Sequence, residues 1–287
     1  MDWLQALILG IIQGLSEYLP ISSSGHLEIF KQILGMDIEG AESLQFDIVL
    51  HVATVLSTIT ILWREFIPLI TSFFGWKRDS NFYYVCKILV SCIPILIVGL
   101  LFKDFISSLF EGNLIVVGTC LLITASLLSF TYVSRTQHPR ITRHVNTPVT
   151  GRDITWFDAF IIGCAQAIAV LPGLSRSGST IATGIILGNR RDKLAQFSFF
   201  MVIIPILGEA LLDAKKIFTA GSELTASQSQ SIGFLPMMIG FIAAFVVGCL
   251  ACRWMINLVK KGKLIWFAIY CAIAGIISIV WQLCHAV

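Results

Sequence analysis

Charged side chains are scarce in this sequence of 287 residues. Asp, Glu, Lys and Arg make up 13% of it, against about 25% in a typical soluble domain. Hydrophobic residues make up 56%, and the mean hydropathy is +0.84. No hydrophilic stretch is long enough to fold as a separate soluble domain. We therefore expect a single membrane-embedded domain over residues 1–287.

Basic runs, metal-ligand clusters and signal-peptide features are also missing. The formal net charge is only +3 and the basic residues are dispersed, which argues against a nucleic-acid partner. The closest pair of the eight cysteines, Cys249 and Cys252, has no neighbouring His or Asp, so we interpret the cysteines as packing residues. The N-terminus lacks a basic region and an A-x-A-like cleavage site, so we expect the first helix to be retained.

Six segments are long and apolar enough to cross a membrane. A spanning helix needs about 20 mostly apolar residues. The predicted spans are 46–63, 83–102, 114–133, 194–212, 232–252 and 264–284. A shorter apolar stretch, residues 65–75, contains Pro68 and predicts an interfacial helix. The fold class is therefore an all-α polytopic membrane protein.

Two further apolar regions, residues 3–34 and 156–188, are each interrupted near the middle by Pro, Ser and Gly. Their second arms, 22–34 and 175–188, would rise only about 20 Å as helices. That length is shorter than the hydrocarbon core of about 30 Å. Irregular backbone at this depth must be covered by protein or must line a water-filled cavity. Each region is therefore predicted to be a re-entrant helical hairpin.

The two hairpins share Trp, Gln, Ser and Gly residues at a constant offset of 153 positions, as in Gln13/Gln166 and Ser22/Ser175. Each hairpin is followed by three predicted spans. We therefore divide the chain into repeat 1, about 1–133, and repeat 2, about 154–287, joined by a basic loop at 134–153. Because three spans is an odd number, the second copy must enter from the opposite face, which predicts an inverted-topology repeat.

The distribution of Lys and Arg predicts the orientation. Loops that remain in the cytoplasm are enriched in these residues. The predicted topology collects fourteen of them on one face: Arg64, Lys77, Arg78, Arg135, Arg140, Arg143, Arg152, Arg190, Arg191, Lys193, Arg253, Lys260, Lys261 and Lys263. The other face has Lys31, Lys103, Lys215 and Lys216. The loop 134–153 is therefore expected in the cytoplasm, with both termini and the first hairpin's entrance on the outside.

The first hairpin carries polar groups that a lipid-facing segment does not tolerate. Gln13 and Glu17 are four residues apart and share a helix face. Ser22 and His26 have the same spacing, and Ser23 lies three residues before His26. A helix that starts near Ser22 would point its free N–H groups and positive dipole end toward the membrane centre. Such a helix start is a favourable site for an anion.

The second hairpin replaces three of these groups. Val170 stands in place of Glu17, Arg176 in place of Ser23, and Ser179 in place of His26. If the hairpin tips meet, an acid, a base, hydroxyl nucleophiles and a guanidinium come together. The hydroxyls of the second tip are those of Ser175, Ser177 and Thr180. Arg binds phosphate through two parallel hydrogen bonds, and Gly25 and Gly178 would allow close approach of the backbone. The residues therefore predict a phosphorylated ligand within reach of lipid.

Structural interpretations of the same residues stay open at this point. Ser24 and Ser177 could serve only helix packing, Glu17 could only neutralise Arg176, and His26 could be a hydrogen-bonded core residue. Asp47 is expected to hydrogen-bond a hairpin end, whereas the sequence leaves the roles of His51 and Glu209 undecided. A transporter or flippase of a phosphorylated lipid, or a scaffold without chemistry, would also accommodate an inverted repeat.

Three motifs in this order resemble those of the undecaprenyl-diphosphate phosphatases of bacterial inner membranes, also called bacitracin-resistance proteins. Residues 13–17 (QGLSE) fit the family's [E/Q]-x-x-x-E motif, and residues 20–26 (PISSSGH) fit its Ser-rich motif. Residues 172–180 (PGLSRSGST) fit PGxSRSGxT. The resemblance covers essentially the whole chain.

The resemblance implies hydrolysis of undecaprenyl diphosphate to the monophosphate and phosphate, which renews the lipid carrier for peptidoglycan synthesis and confers bacitracin resistance. It implies a divalent cation, Mg²⁺ or Ca²⁺, at Glu17 with Gln13 beside it, although many members have Glu at the position of Gln13. It implies catalytic roles for Glu17, Ser23, His26 and Arg176, with Ser23 as nucleophile and His26 as its proton partner. The implied substrate-binding residues are Gln13, Ser22, Ser24, Gly25, Ser175, Ser177, Gly178 and Thr180. The active site would open to the periplasm, where both termini would lie. The sequence leaves open whether the chain forms a homodimer.

Overall fold

The computed structural model describes residues 1–36, 41–102, 114–137, 151–220 and 232–285. These ranges form eleven helices, and they contain no β-strand beyond one isolated bridge between Arg152 and Asn189. In chain order the helices are α1 (Trp3–Ser16), α2 (Ser23–Ile33), α3 (Ala41–Ile61), α4 (Trp63–Phe74), α5 (Ser80–Leu101), α6 (Leu114–Gln137), α7 (Trp156–Ile168), α8 (Arg176–Ile186), α9 (Arg191–Ala220), α10 (Phe234–Lys261) and α11 (Ile265–His285).

The long helices agree with the predicted spans. Within the described residues, α5, α6, α9, α10 and α11 are each long and apolar enough to cross a membrane. Together, α3 and α4 form a sixth candidate. The outward faces of α5, α10 and α11 expose large apolar side chains such as Leu96, Leu100, Leu250 and Ile277. In water this surface would be unfavourable, whereas lipid solvates it. The expected class, an all-α multi-pass membrane protein, is confirmed.

The bend between α3 and α4 is 91°. Helix α4 corresponds to the predicted interfacial segment 65–75, and such a turn would direct it along a membrane surface. Its first turn contacts α9, because Gln196 Nε2 donates a 3.4 Å hydrogen bond to Glu65 Oε1. The rings of Phe66 and Phe200 also lie 6.0 Å apart. Helix α4 is thereby fixed beside the start of α9.

Each of the two broken regions forms a pair of short helices, α1/α2 and α7/α8, of 11 to 14 residues each. At 1.5 Å per residue none of the four reaches across a hydrocarbon core. The second helix of each pair begins with the same cap, since Ser22 Oγ accepts from Gly25 N and Ser175 Oγ accepts from Gly178 N. The Ser-rich breaks at the two hairpin tips therefore act as helix N-caps.

Each hairpin packs mainly on a span from the other half of the chain. Helix α1 lies against α10, and α7 lies against α5. Glycines allow both approaches. A Cβ on Gly10 would lie 2.5 Å from the carbonyl oxygen of Gly240, and a Cβ on Gly163 would lie 2.3 Å from that of Ser91. These glycines therefore allow the backbones of α1 and α7 to lie directly against those of α10 and α5.

Several residues used in the sequence analysis lie outside the described part of the chain. They include Lys103, Arg140 and Arg143, and most of the predicted cytoplasmic loop 134–153. The side chains of Arg135, Glu209, Lys215 and Lys216 are also outside it.

The contact at Gly163 predicts a stability effect. We expect Gly163→Ala to lower the free energy of unfolding by about 1–3 kcal/mol, because the new methyl group would collide with the α5 backbone. The matched control is Gly99→Ala on α5, where a Cβ has no neighbour within 4 Å. That variant should be neutral, or stabilised by about 0.5–1 kcal/mol through helix propensity. Denaturant unfolding in detergent measures both variants, and equal stabilities would contradict the packing described here.

Candidate active site

The two hairpin tips are in direct contact. A Cβ on Gly25 would lie 3.0 Å from Gly173 Cα, and one on Gly178 would lie 3.1 Å from Pro20 Cβ. Ser177 Oγ donates a 3.2 Å hydrogen bond to the carbonyl oxygen of Leu19. The polar residues of the two tips, 153 positions apart in sequence, therefore share one site.

Glu17 is the centre of this site. Its Oε2 accepts a 2.7 Å hydrogen bond from Ser23 Oγ and a 3.1 Å hydrogen bond from Gln13 Nε2. Its Oε1 lies 3.8 Å from Arg176 Nη2 of the second hairpin. The Glu17 side chain is 8% exposed and that of Arg176 is 18% exposed. The carboxylate is thus nearly withdrawn from solvent, and its compensating charge comes from the other half of the chain.

The backbone at Ser22 explains how Ser23 reaches Glu17. Ser22 has a φ of 71° and a ψ of 102°, a left-handed conformation that costs a residue other than glycine roughly 1–3 kcal/mol. The turn folds the chain back after Pro20. The first residue of α2, Ser23, then faces the residue six positions before it. The strained residue, Ser22, therefore lies directly before the serine whose hydroxyl contacts Glu17.

Two adjoining hollows open at the tips. The first is mostly polar and is lined by Ser16, Glu17, Ser22, Ser23, Ser24, Leu174, Ser175, Arg176 and Ser177. The second is lined by Glu17, Tyr18, Thr54, Val55, Thr58, Arg176, Ser177, Phe199, Val202, Ile203 and Ile206. They share Glu17, Arg176 and Ser177. A polar hollow therefore adjoins a largely apolar one.

Some predicted site residues do not line either hollow. Thr180 Oγ1 donates to the carbonyl oxygen of Arg176 at 2.9 Å and also hydrogen-bonds Ser198 of α9. Its hydroxyl therefore joins α8 to α9. Gly25 and Gly178 allow the tips to touch, and Gln13 supports Glu17 from behind.

His26 occupies a different place from the one expected. Its Nδ1 lies 2.8 Å from the carbonyl oxygen of Ser22, and its Nε2 lies 2.7 Å from the hydroxyl of Tyr270 on α11. The ring is 4% exposed and lines neither hollow. The expected pairing of His26 with Ser23 is therefore not found, because the four-residue spacing directs the ring onto the Ser22 carbonyl. Ser23 is bound to Glu17 instead.

A family model described as "Bacitracin resistance protein BacA" matches residues 6–277. This chain belongs to that family. An undecaprenyl-diphosphatase of Bacteroides fragilis (strain ATCC 25285) is 56% identical over 280 residues, which cover 98% of each chain. One from Bacteroides thetaiotaomicron is 54% identical over 283 residues, with 99% of this chain and all of the relative covered. A more distant relative of the same name, from Methanosphaera stadtmanae, is 37% identical over 295 residues. The resemblance found in the motifs is confirmed.

The cation implied by the BacA family fits the donors beside Glu17. Gln13 Oε1 is buried and has no hydrogen-bond partner within the described residues. An amide oxygen beside a carboxylate is a suitable pair of ligands for Mg²⁺ or Ca²⁺, both of which prefer oxygen. Within the same residues, no group of three or more His, Cys, Asp and Glu side chains could hold a metal ion. Any cation here would therefore need further oxygens from phosphate or water.

Asp47 and His51, which the sequence analysis also names, form hydrogen bonds outside the two hollows. Asp47 Oδ2 accepts a 2.8 Å hydrogen bond from Lys31 in the last turn of α2, so the expected contact with a hairpin end is confirmed. His51 Nδ1 lies 2.8 Å from the carbonyl oxygen of Asp47. Lys87 Nζ donates to the carbonyl oxygen of Ile154 at the start of the second hairpin.

Sequence reasoning missed two tyrosines of this site. The hydroxyl of Tyr18 donates to the carbonyl oxygen of Thr54 at 2.6 Å and also contacts Thr58 Oγ1 at 2.8 Å. A buried tyrosine hydroxyl needs a partner, so its position beside Glu17 was an available signal. Tyr270 lies in an ordinary apolar span, and nothing around it in the sequence indicates its contact with His26.

The pair of Glu17 and Arg176 should be energetically coupled. We expect Glu17→Gln to lower the free energy of unfolding by about 1–3 kcal/mol, because it leaves Arg176 partly buried without its counter-charge. The double variant with Arg176→Gln should lose less free energy of unfolding than the sum of the losses in the two single variants. A double-mutant cycle from denaturant unfolding measures this coupling.

The exposed pair of Lys193 and Asp153 provides the control. Its atoms are 3.2 Å apart, but the side chains are 48% and 68% exposed. A cycle with Lys193→Gln and Asp153→Asn should therefore give a coupling below about 1 kcal/mol. Strict additivity at Glu17 and Arg176 would show that the two charges do not stabilise one another.

Proposed function

We propose that this chain is an integral-membrane phosphatase that hydrolyses undecaprenyl diphosphate to undecaprenyl phosphate and inorganic phosphate. The reaction recycles the lipid carrier for peptidoglycan synthesis and confers resistance to bacitracin. One observation carries the proposal. The hydroxyl of Ser23 is hydrogen-bonded to a buried carboxylate in a polar hollow that also contains Arg176. Relatives named undecaprenyl-diphosphatase at 54–56% identity support the choice of substrate.

The diphosphate group fits the polar hollow. Helices α2 and α8 both start there, and the free N–H groups and dipole of a helix start favour an anion. Arg176 adds a guanidinium, which can bind two phosphate oxygens at once. The hydroxyls of Ser22, Ser24 and Ser175 line the same space. The diphosphate would therefore be bound by both hairpins together.

The apolar lining of the adjoining hollow matches the chemistry of the isoprenoid chain. Val55 of α3 and the α9 residues Phe199, Val202, Ile203 and Ile206 form most of its walls. The two hollows meet at Glu17, Arg176 and Ser177, next to Ser23. A lipid diphosphate placed with its headgroup in one hollow and its first isoprene units in the other brings its phosphorus atoms to the Ser23 hydroxyl.

The chemistry follows from the contact between Ser23 and Glu17. Ser23 Oγ attacks the terminal phosphorus, Glu17 accepts its proton, and the bond to the bridging oxygen breaks with release of the lipid monophosphate. Glu17 passes this proton to the departing monophosphate. Water then attacks the phosphoserine, and Glu17 takes a proton from the water and returns it to Ser23 Oγ as phosphate is released. Arg176 stabilises the charge on the phosphoryl oxygens. In this scheme Glu17 takes the role of proton acceptor that the motif resemblance implied for His26.

A divalent cation would be held by Glu17 and Gln13 Oε1, and when bound it supplies positive charge to the diphosphate. These are two oxygen donors, and within the described residues no group of three or more His, Cys, Asp and Glu side chains could hold a metal ion. Substrate oxygens would therefore complete the coordination, as is common for Mg²⁺ at phosphate sites. Gln13 donates its amide N–H to Glu17 and so keeps its oxygen free for this role.

The two halves form an inverted-topology repeat in this proposal. The reciprocal packing of α1 on α10 and α7 on α5 supports it. So do the equivalent caps at Ser22 and Ser175, and the equivalent tip contacts of Gly25 with Gly173 and Gly178 with Pro20. The excess of Lys and Arg on one face orients the active site and both termini toward the periplasm.

Phosphate release by purified protein in detergent tests the proposal. Ser23→Ala and Arg176→Ala should each lower turnover of a prenyl diphosphate at least about 100-fold, because each removes a group that acts on the phosphoryl transition state. The same changes outside the site, Ser126→Ala and Arg253→Ala, should leave turnover normal; both residues are on outer helix surfaces. Near-normal turnover by folded Arg176→Ala would contradict the proposal. Absence of phosphate release by the unchanged protein would favour a transporter or flippase.

Chelation tests the cation. EDTA should abolish phosphate release, and added Mg²⁺ or Ca²⁺ should restore it. Because Gln13 Oε1 would be a direct ligand, Gln13→Leu should raise the cation concentration needed for half-maximal activity about tenfold or more. Full activity in excess EDTA would exclude this role for Gln13 and Glu17.

A further inference from the structure

The contact between His26 and Tyr270 joins the first hairpin to the last helix of the chain. The Tyr270 hydroxyl lies 2.7 Å from His26 Nε2. The two rings are stacked, with centroids 5.6 Å apart and an interplanar angle of 20°. His26 is buried, whereas Tyr270 is 44% exposed on the outer side of α11. The tyrosine thus covers the imidazole on the side that faces away from the hollows.

The hydrogen bonds determine the state of the imidazole. A carbonyl oxygen can only accept, so the Nδ1 atom that contacts the Ser22 carbonyl must carry hydrogen. In the neutral ring, Nε2 then has no hydrogen and accepts from the Tyr270 hydroxyl. No charged side chain within the described residues forms an ion pair with this ring. Burial without a counter-charge favours the neutral form. Both nitrogens are therefore occupied, and neither reaches Ser23.

The Ser22 carbonyl receives two hydrogen bonds from the same residue. The main-chain N–H of His26 donates to it at 3.2 Å and the ring donates at 2.8 Å. This carbonyl belongs to the peptide that links Ser22, at its φ of 71°, to Ser23. Holding the carbonyl fixes the plane of that peptide, and the plane fixes the direction of the Ser23 side chain toward Glu17. A ring that was free to rotate would provide only the longer main-chain bond.

We propose that Tyr270 is a positioning residue for the phosphatase reaction. It holds the His26 ring on the Ser22 carbonyl, and His26 in turn holds the strained peptide that presents Ser23 Oγ to Glu17. The proposal rests on the role of Ser23 proposed above. In this proposal His26 orients the nucleophile Ser23 and does not transfer protons.

Tyr270→Phe is the first test, because it deletes one hydroxyl and keeps the stacked ring. We expect kcat to fall about tenfold, which corresponds to about 1.4 kcal/mol, a size suited to one hydrogen bond. KM should stay within twofold, because the walls of both hollows are unchanged. Tyr132→Phe is the matched control, since Tyr132 is 45% exposed on a neighbouring span; its kcat should be normal. An unchanged kcat for Tyr270→Phe would overturn the proposal.

The pH dependence and a double variant separate positioning from proton transfer. Tyr270→Phe should lower kcat by the same factor at every pH and leave the shape of the pH profile unchanged.

The double variant of Tyr270→Phe with His26→Ala should be no slower than His26→Ala alone, because Tyr270 acts only through the His26 ring. A shifted profile, or losses that multiply, would assign proton transfer to His26 or an independent role to Tyr270.

A spectroscopic measurement keeps this test separate from the proposed function. In ¹⁵N NMR of labelled protein in detergent, the His26 imidazole should appear as the neutral tautomer with hydrogen on Nδ1. Its Nε2 resonance should move when the Tyr270 hydroxyl is removed by Tyr270→Phe, and should stay in place in Tyr132→Phe. Hydrogen on Nε2 alone, or a resonance unaffected by Tyr270→Phe, would refute the arrangement whether or not the protein releases phosphate.

Discussion

A carboxylate held inside a membrane protein must be compensated, and in this chain the compensation for Glu17 comes from the opposite half of the sequence. Arg176 supplies the charge at 3.8 Å, and Ser23 and Gln13 donate hydrogen bonds to the same group. Without the second hairpin Glu17 would lose the guanidinium beside its nearly buried carboxylate, which is costly. Closure of the two tips and assembly of the site are therefore the same event. The glycines at the tips, and those that bring α1 and α7 onto their partner helices, serve that closure.

The same arrangement accounts for the chemistry. The tip of each hairpin is also the start of a helix, and the positive end of a helix dipole favours an anion in the hollow that contains Glu17 and Arg176. The left-handed turn at Ser22 places Ser23 at the edge of that hollow, and the hydrogen bonds of His26 to the Ser22 carbonyl hold the turn. An apolar hollow begins on the other side of Glu17. A diphosphate attached to a lipid chain matches this arrangement, because its headgroup is charged and its chain is apolar.

Much of the fold could be predicted from local patterns. The six spans followed from length and apolar composition, and the two broken regions followed from Pro, Ser and Gly at the tips. The meeting of Glu17 with Arg176 followed from the repeat, because equivalent tips were expected to converge. The partner of His26 could not be predicted, since Tyr270 is 244 residues away and lies in an ordinary apolar span. Spacing alone placed Ser22, Ser23 and His26 on one helix start, but it did not reveal which of the two serines the ring would contact. The walls of the apolar hollow depend on how α9 packs against α3, which also has no local signal.

The most direct test of this account is an experimental structure of the protein with a non-hydrolysable prenyl diphosphonate. The account predicts that the diphosphonate lies between the two hairpin tips, with Arg176 on its oxygens and the terminal phosphorus within about 3–3.5 Å of Ser23 Oγ. The first isoprene units should follow Phe199, Val202 and Ile206. A headgroup bound elsewhere, or hairpin tips that separate so that Glu17 and Arg176 no longer share one hollow, would contradict it.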